Sequence, residues 1–151
     1  MVATAELVGT WRLLSWNIEV VESGGMLQQF GDNPPGYIHF TSDGRLFAVL
    51  TASDRKPVET EFDQIAAFGS LIAYTGQYCI EGNRLVTKVD VSADPAAVGT
   101  ELVGFYKLNG NRLEITTAPF VSNKPSVSFG GRQIRAICSG NVTNVISIMA
   151  C

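Results

Sequence analysis

Most of the chemistry this sequence can offer rests on four tyrosines and a single histidine. Tyr37, Tyr74, Tyr78 and Tyr106 each carry a phenol that can polarise a bound carbonyl or enol through a hydrogen bond, and that bond gains strength where water is excluded. The other use of such a residue is packing, with the ring buried and the hydroxyl satisfied by a neighbour. His39 is the only histidine, and no serine and aspartate stand at a spacing that would make it part of a nucleophilic triad. It lies in the run Tyr37-Ile38-His39-Phe40-Thr41, where alternate side chains point to opposite faces, and the pattern leaves open which face turns inward. As general acid or base the candidates are His39, Tyr78 and Tyr106.

The remaining reactive groups are isolated. Asp63, Glu101 and Glu114 form no pair that would mark an acid–base couple, and Cys79 has no neighbouring base to generate a thiolate, so it reads as a small packed residue. One histidine and three cysteines, Cys79, Cys138 and Cys151, are too dispersed for a metal ligand set. Neither a phosphate-binding loop nor a dinucleotide fingerprint is present. Any reaction is therefore expected to proceed without a metal or cofactor.

Composition narrows the setting. With 46% hydrophobic and 17% charged residues in 151 positions, the chain reads as one globular domain over residues 1–151 with one core. A net charge of −3, spread singly along the sequence, offers no basic face for a phosphate backbone, so nucleic acid is not an expected partner. The opening residues carry Glu6 and lack the basic stretch of a secretory signal, and no apolar run is long enough to span a bilayer. Three scattered cysteines fit a reducing cytoplasm better than a disulfide framework. The triplet Asn141-Val142-Thr143 is a glycosylation sequon without a secretory route.

The elements that must position these groups are mostly strands. Gly9 to Val21, Tyr37 to Thr41, Arg45 to Thr51, Thr75 to Ile80, Arg84 to Val91, Glu101 to Leu108 and Arg112 to Thr117 alternate or run β-rich between turn signals. Ser42-Asp43-Gly44 and Asn109-Gly110-Asn111 supply the positive-φ residues of tight hairpins. Phe62, Ile65, Ala66, Phe68 and Ile72 recur at helical steps between Thr60 and Tyr74, with Thr60 or Asp63 as cap, predicting one short amphipathic helix. Arg132 to Cys138 is expected to close the sheet, and the apolar tail 138–151 has no assigned place. The sum is an all-β, closed antiparallel up-and-down barrel of about eight strands with one short helix, which removes exposed edges. An open sandwich is the competing arrangement.

Leu7-Val8-Gly9-Thr10-Trp11-Arg12-Leu13, Asn33-Pro34-Pro35-Gly36-Tyr37-Ile38, Thr41-Ser42-Asp43-Gly44-Arg45, the spaced Tyr74, Gly76 and Tyr78, Val98-Gly99-Thr100 and Leu108-Asn109-Gly110-Asn111-Arg112-Leu113 together resemble the lipocalin-like domain family of the calycin superfamily, over roughly residues 6–117. The resemblance implies a barrel plugged at one end by Trp11, with an arginine of the last strand, Arg135 or Arg132, lying across its ring. The sequence departs from the family where other members carry polar residues: Thr87-Lys88 replaces a histidine pair, Leu102 and Gly104 replace a glutamine and an arginine, and Phe47 or Val49 stands at an interior polar position. A more apolar cavity follows, lined by Tyr37, Phe40, Phe47, Val49, Tyr74, Leu102 and Gly104.

Such a cavity points first to binding of a hydrophobic, polyketide- or terpenoid-like metabolite. The alternative, by analogy with biosynthetic members, is a cofactor-free isomerase, cyclase or dehydratase acting on one. A third arrangement, a solid core with the tail mediating a homodimer, has no cavity.

Overall fold

The computed structural model describes residues 5–28, 30–117, 120–121 and 141–151. Among the described residues ten strands follow one another: β1 (Gly9–Val20), β2 (Met26–Gln28), β3 (Gly36–Phe40), β4 (Arg45–Thr51), β5 (Leu71–Glu81), β6 (Arg84–Ser92), β7 (Glu101–Asn109), β8 (Arg112–Thr117), β9 (Phe120–Val121) and β10 (Asn141–Ala150). One helix, α1 (Glu61–Gly69), and a single 3-10 turn at Pro95–Ala97 interrupt them. Neighbours pair antiparallel in the order β1-β3-β4-β5-β6-β7-β8-β10, and β10 returns to β1, so eight strands close into an up-and-down barrel. The short β2 extends from β1 and β9 from β10.

Tight turns gather at one end. Gly44 (φ 91°), Gly82 (φ 64°) and Gly110 (φ 60°) sit in the left-handed region that their hairpins demand and that a Cβ would disfavour. The first turn is further held by Thr41, whose Oγ1 accepts from the Arg45 amide at 2.9 Å and donates to the Asp43 carboxylate. Longer connections, including the one that carries α1, lie at the opposite end. The two ends of the barrel thus differ, a floor of tight hairpins at one and a rim of longer connections at the other.

Two expectations change. The helix ends at Gly69, and Leu71 to Tyr74 join β5, because each finds a strand partner on β4 from Thr51 to Ala48. Closure is made by β10, whose register runs Trp11↔Ala150 to Val20↔Val142 on β1 and Val145↔Thr116 to Met149↔Arg112 on β8. The tail that had no assigned place is the closing strand, whereas 132–138 lies outside the described residues. Ile146 and Ile148 turn inward from it and are buried against the core.

The helix begins as the sequence requires. Thr60 accepts from the Asp63 amide and the Asp63 carboxylate accepts from the Thr60 amide, a reciprocal capping box. None of its residues is buried, and Phe62, Ile65 and Phe68 are exposed.

Candidate ligand-binding site

Strand alternation assigns each side chain to the interior or the outer wall. At the floor, Trp11, Phe40, Leu46, Tyr78, Leu113 and Ile148 are buried together. Trp11 Nε1 donates to the Leu7 carbonyl at 2.9 Å, so the plug is both packed and hydrogen-bonded. Phe40 meets Tyr78 edge-on, with ring centroids 5.2 Å apart. The Tyr78 hydroxyl donates to the Thr41 carbonyl at 2.9 Å, and burial followed by the nearby Asp43 carboxylate pushes its ionisation upward. Tyr106 also faces inward and donates to the Gly82 carbonyl at 3.3 Å. The phenols of Tyr78 and Tyr106 are therefore committed to floor turns.

Nearer the rim the interior is different. Tyr74 projects inward from β5 between Ala48 and Ser92, packs against the core, and its hydroxyl has no hydrogen-bond partner among the described residues. Burial alone pushes its ionisation up to about 12, so the phenol keeps its proton at neutral pH and acts as a donor. Thr87, buried on β6, likewise shows no side-chain hydrogen bond among the described residues. Trp16 Nε1 donates to Asn144 Oδ1 at 3.2 Å, and the Trp16 ring packs on Phe30 at 5.7 Å. Among the described residues, the interior strand positions hold no Asp, Glu, Lys or Arg.

Two glycines let the wall close in. A Cβ at Gly104 would come within 2.8 Å of Ile115 Cγ2, and one at Gly76 within 2.1 Å of the Lys88 carbonyl oxygen. Leu102 shares the face of Thr87 but sits at the rim of β7, where it is partly exposed.

The other residues singled out from sequence lie outside. Because Ile38, Phe40, Leu46, Ala48 and Leu50 take the interior of β3 and β4, the alternate Tyr37, His39, Phe47 and Val49 stand on the outer wall. The sheet separates them from the interior. His39 Nδ1 lies 2.9 Å from Thr10 Oγ1 across the β1–β3 pair. Arg135 and Arg132 fall outside the described residues. A separate open groove of about 410 Å³ runs over the outer wall, between Gln77, Lys88 and Asp90 on one side and Val98 and Gly99 on the other. Sequence reasoning passed over Trp16, Asn144 and Thr87 as a site. For Thr87 the signal was present, as the one polar inward residue in Leu85-x-Thr87-x-Val89.

A family model described as a lipocalin-like domain matches residues 8–137. The chain belongs to the lipocalin-like domain family. The match stops short of β10, so the strand that seals this lipocalin-like barrel lies beyond the matched stretch. No curated protein matches the sequence. A lipocalin-like barrel with an apolar interior suits a small hydrophobic ligand in general. No helix among the described residues is long and apolar enough to cross a membrane, and among them no group of three or more His, Cys, Asp or Glu is placed to hold a metal ion.

Proposed function

We propose that the rim half of this barrel binds a neutral, hydrophobic small molecule of polyketide or terpenoid type and orients it by a hydrogen bond from Tyr74. The observation that carries the reading is the Tyr74 phenol: inward-facing, partly buried against the core, and without a hydrogen-bond partner among the described residues. A partly buried hydroxyl that no protein group satisfies gains a hydrogen bond from a guest bearing a carbonyl, ether or hydroxyl oxygen. The uncharged interior supports a neutral guest, since a buried ion without a partner is penalised far more heavily. Flat ring surface from Tyr74 and Trp16 suits a cyclic skeleton.

The test is titration of the purified protein with neutral cyclic ketones, followed by native mass spectrometry. Tyr74→Phe is expected to keep the fold and weaken binding about tenfold, the value of one hydrogen bond to a buried partner. Equal affinity of the two proteins would overturn the assignment. A released product that differs from the added molecule in mass, as after dehydration, or in chromatographic retention at equal mass, as after isomerisation or cyclisation, would mark turnover instead of storage.

A further inference from the structure

In the ring of eight strands, β5 and β10 form opposite walls, with β6, β7 and β8 between them one way and β4, β3 and β1 the other. Tyr74 lies rimward of Tyr78 on β5, and Asn144 lies rimward of the buried Ile146 and Ile148 on β10. Alternation turns Asn144 inward with those isoleucines. Two bonds hold it there. Its backbone amide donates to Thr117 Oγ1 on β8 at 2.9 Å, and its side-chain oxygen accepts from Trp16 Nε1 on β1 at 3.2 Å. Trp16 is itself buried and packed on Phe30.

An indole nitrogen donates and cannot accept, so the Asn144 amide has one orientation open to it, with oxygen toward Trp16 and nitrogen away. Neither hydrogen of that nitrogen has a protein acceptor among the described residues. The rim half therefore holds a phenol donor on one wall and an amide donor on the facing wall. Resting on the Tyr74 reading above, we infer that the guest carries two acceptor oxygens at opposite ends of a rigid, neutral ring skeleton, one for Tyr74 and one for Asn144. Asn144 selects the doubly oxygenated molecule over its singly oxygenated relative. A fixed donor left idle by the wrong guest discriminates more sharply than apolar contact, which reads little beyond size. The two donors also decide which way round the guest sits, a task the surrounding apolar wall cannot perform.

Calorimetric titration of the full chain with paired probes tests this: monoketones on bicyclic, tricyclic and tetracyclic fused skeletons, and the diketone of each skeleton with its carbonyls at opposite ends. The wild type is expected to hold one diketone of the series about tenfold more tightly than its monoketone, the value of one added hydrogen bond. Asn144→Asp keeps an acceptor for Trp16 and removes the donor, and is expected to erase that advantage. Should the variant fail to fold, the side-chain amide NMR signals of Asn144 in the wild type are expected to move when the preferred diketone is added. No diketone advantage on any skeleton, an advantage that survives Asn144→Asp, or unmoved Asn144 signals would overturn the inference while leaving the Tyr74 reading in place. Failure of the wild type to bind any ketone would overturn both.

Discussion

At the floor of the barrel the Tyr78 hydroxyl reaches the Thr41 carbonyl and Trp11 Nε1 reaches Leu7, both at 2.9 Å, whereas toward the rim the Tyr74 hydroxyl and Thr87 find no side-chain partner among the described residues. Both regions are built from the same alternating strands and both are apolar. The difference lies in what completes them. The floor is satisfied by its own turns, while the Tyr74 hydroxyl above it is left without a protein partner among the described residues. Burial raises the pKa of both phenols, but only the Tyr78 hydroxyl is spent on a backbone carbonyl.

The largest effect expected from breaking this contrast is at the floor. Phe40→Ala removes a fully buried ring and is expected to cost about 3–5 kcal/mol in urea unfolding. Gly76→Ala comes next: its Cβ would meet Lys88 backbone at 2.1 Å, where nothing can give way, so it is expected to destabilise more than Gly104→Ala. The latter meets only the Ile115 side chain at 2.8 Å and is expected to cost about 1–3 kcal/mol.

The two phenols sharpen the comparison directly. Tyr78→Phe removes one of the two hydrogen bonds to the Thr41 carbonyl, which still accepts from the Gly44 amide at 3.3 Å, and is expected to lower stability by about 1 kcal/mol. Tyr74→Phe is expected to leave stability within about 0.5 kcal/mol, because no protein bond is lost. Equal losses in paired denaturation curves would erase the distinction between floor and rim.

A smaller effect concerns acid. The Glu59 amide, then the Thr60 hydroxyl, hold the Asp63 carboxyl below its ordinary value of 3.8. A carboxylate depressed on folding contributes its stabilisation above the unfolded value and loses it as pH falls through the folded one. Fraying of α1 is therefore expected only below about pH 4, when followed by amide NMR, and Asp63→Asn is expected to remove that acid dependence. Smallest of all, Ile65→Lys on the exposed helix face is expected to shift the melting midpoint negligibly, by about 0.5 kcal/mol or less.

The hairpins were legible in the sequence because Asp43-Gly44 and Asn109-Gly110-Asn111 leave the backbone little choice, and Thr60 with Asp63 announced the helix start. The burial of Trp11 was legible too. Orientation was harder. In Tyr37-Ile38-His39-Phe40 and Leu46-Phe47-Ala48-Val49 both parities are apolar or aromatic, so neither face is chosen by hydrophobicity. The choice comes from register, as Trp11 opposite Ile38, and Ile38 opposite Ala48, draw one parity inward. Closure was hidden for a related reason: Arg132 to Cys138 and Asn141 to Ala150 are both β-rich, and only the complementarity of Ile146 and Ile148 to the seam beside Trp16 and Leu13 selects the second.

The β1–β10 seam joins Trp11 to Ala150, so it cannot form before the residues through Ala150 have been made. A nascent chain holding β1 through β8 has two raw strand edges and a greasy interior open along one side, a form prone to sticking to its neighbours during synthesis. Local hairpins can assemble early, but the stave that makes the vessel watertight arrives last, and loop-closure entropy makes its docking the slow step.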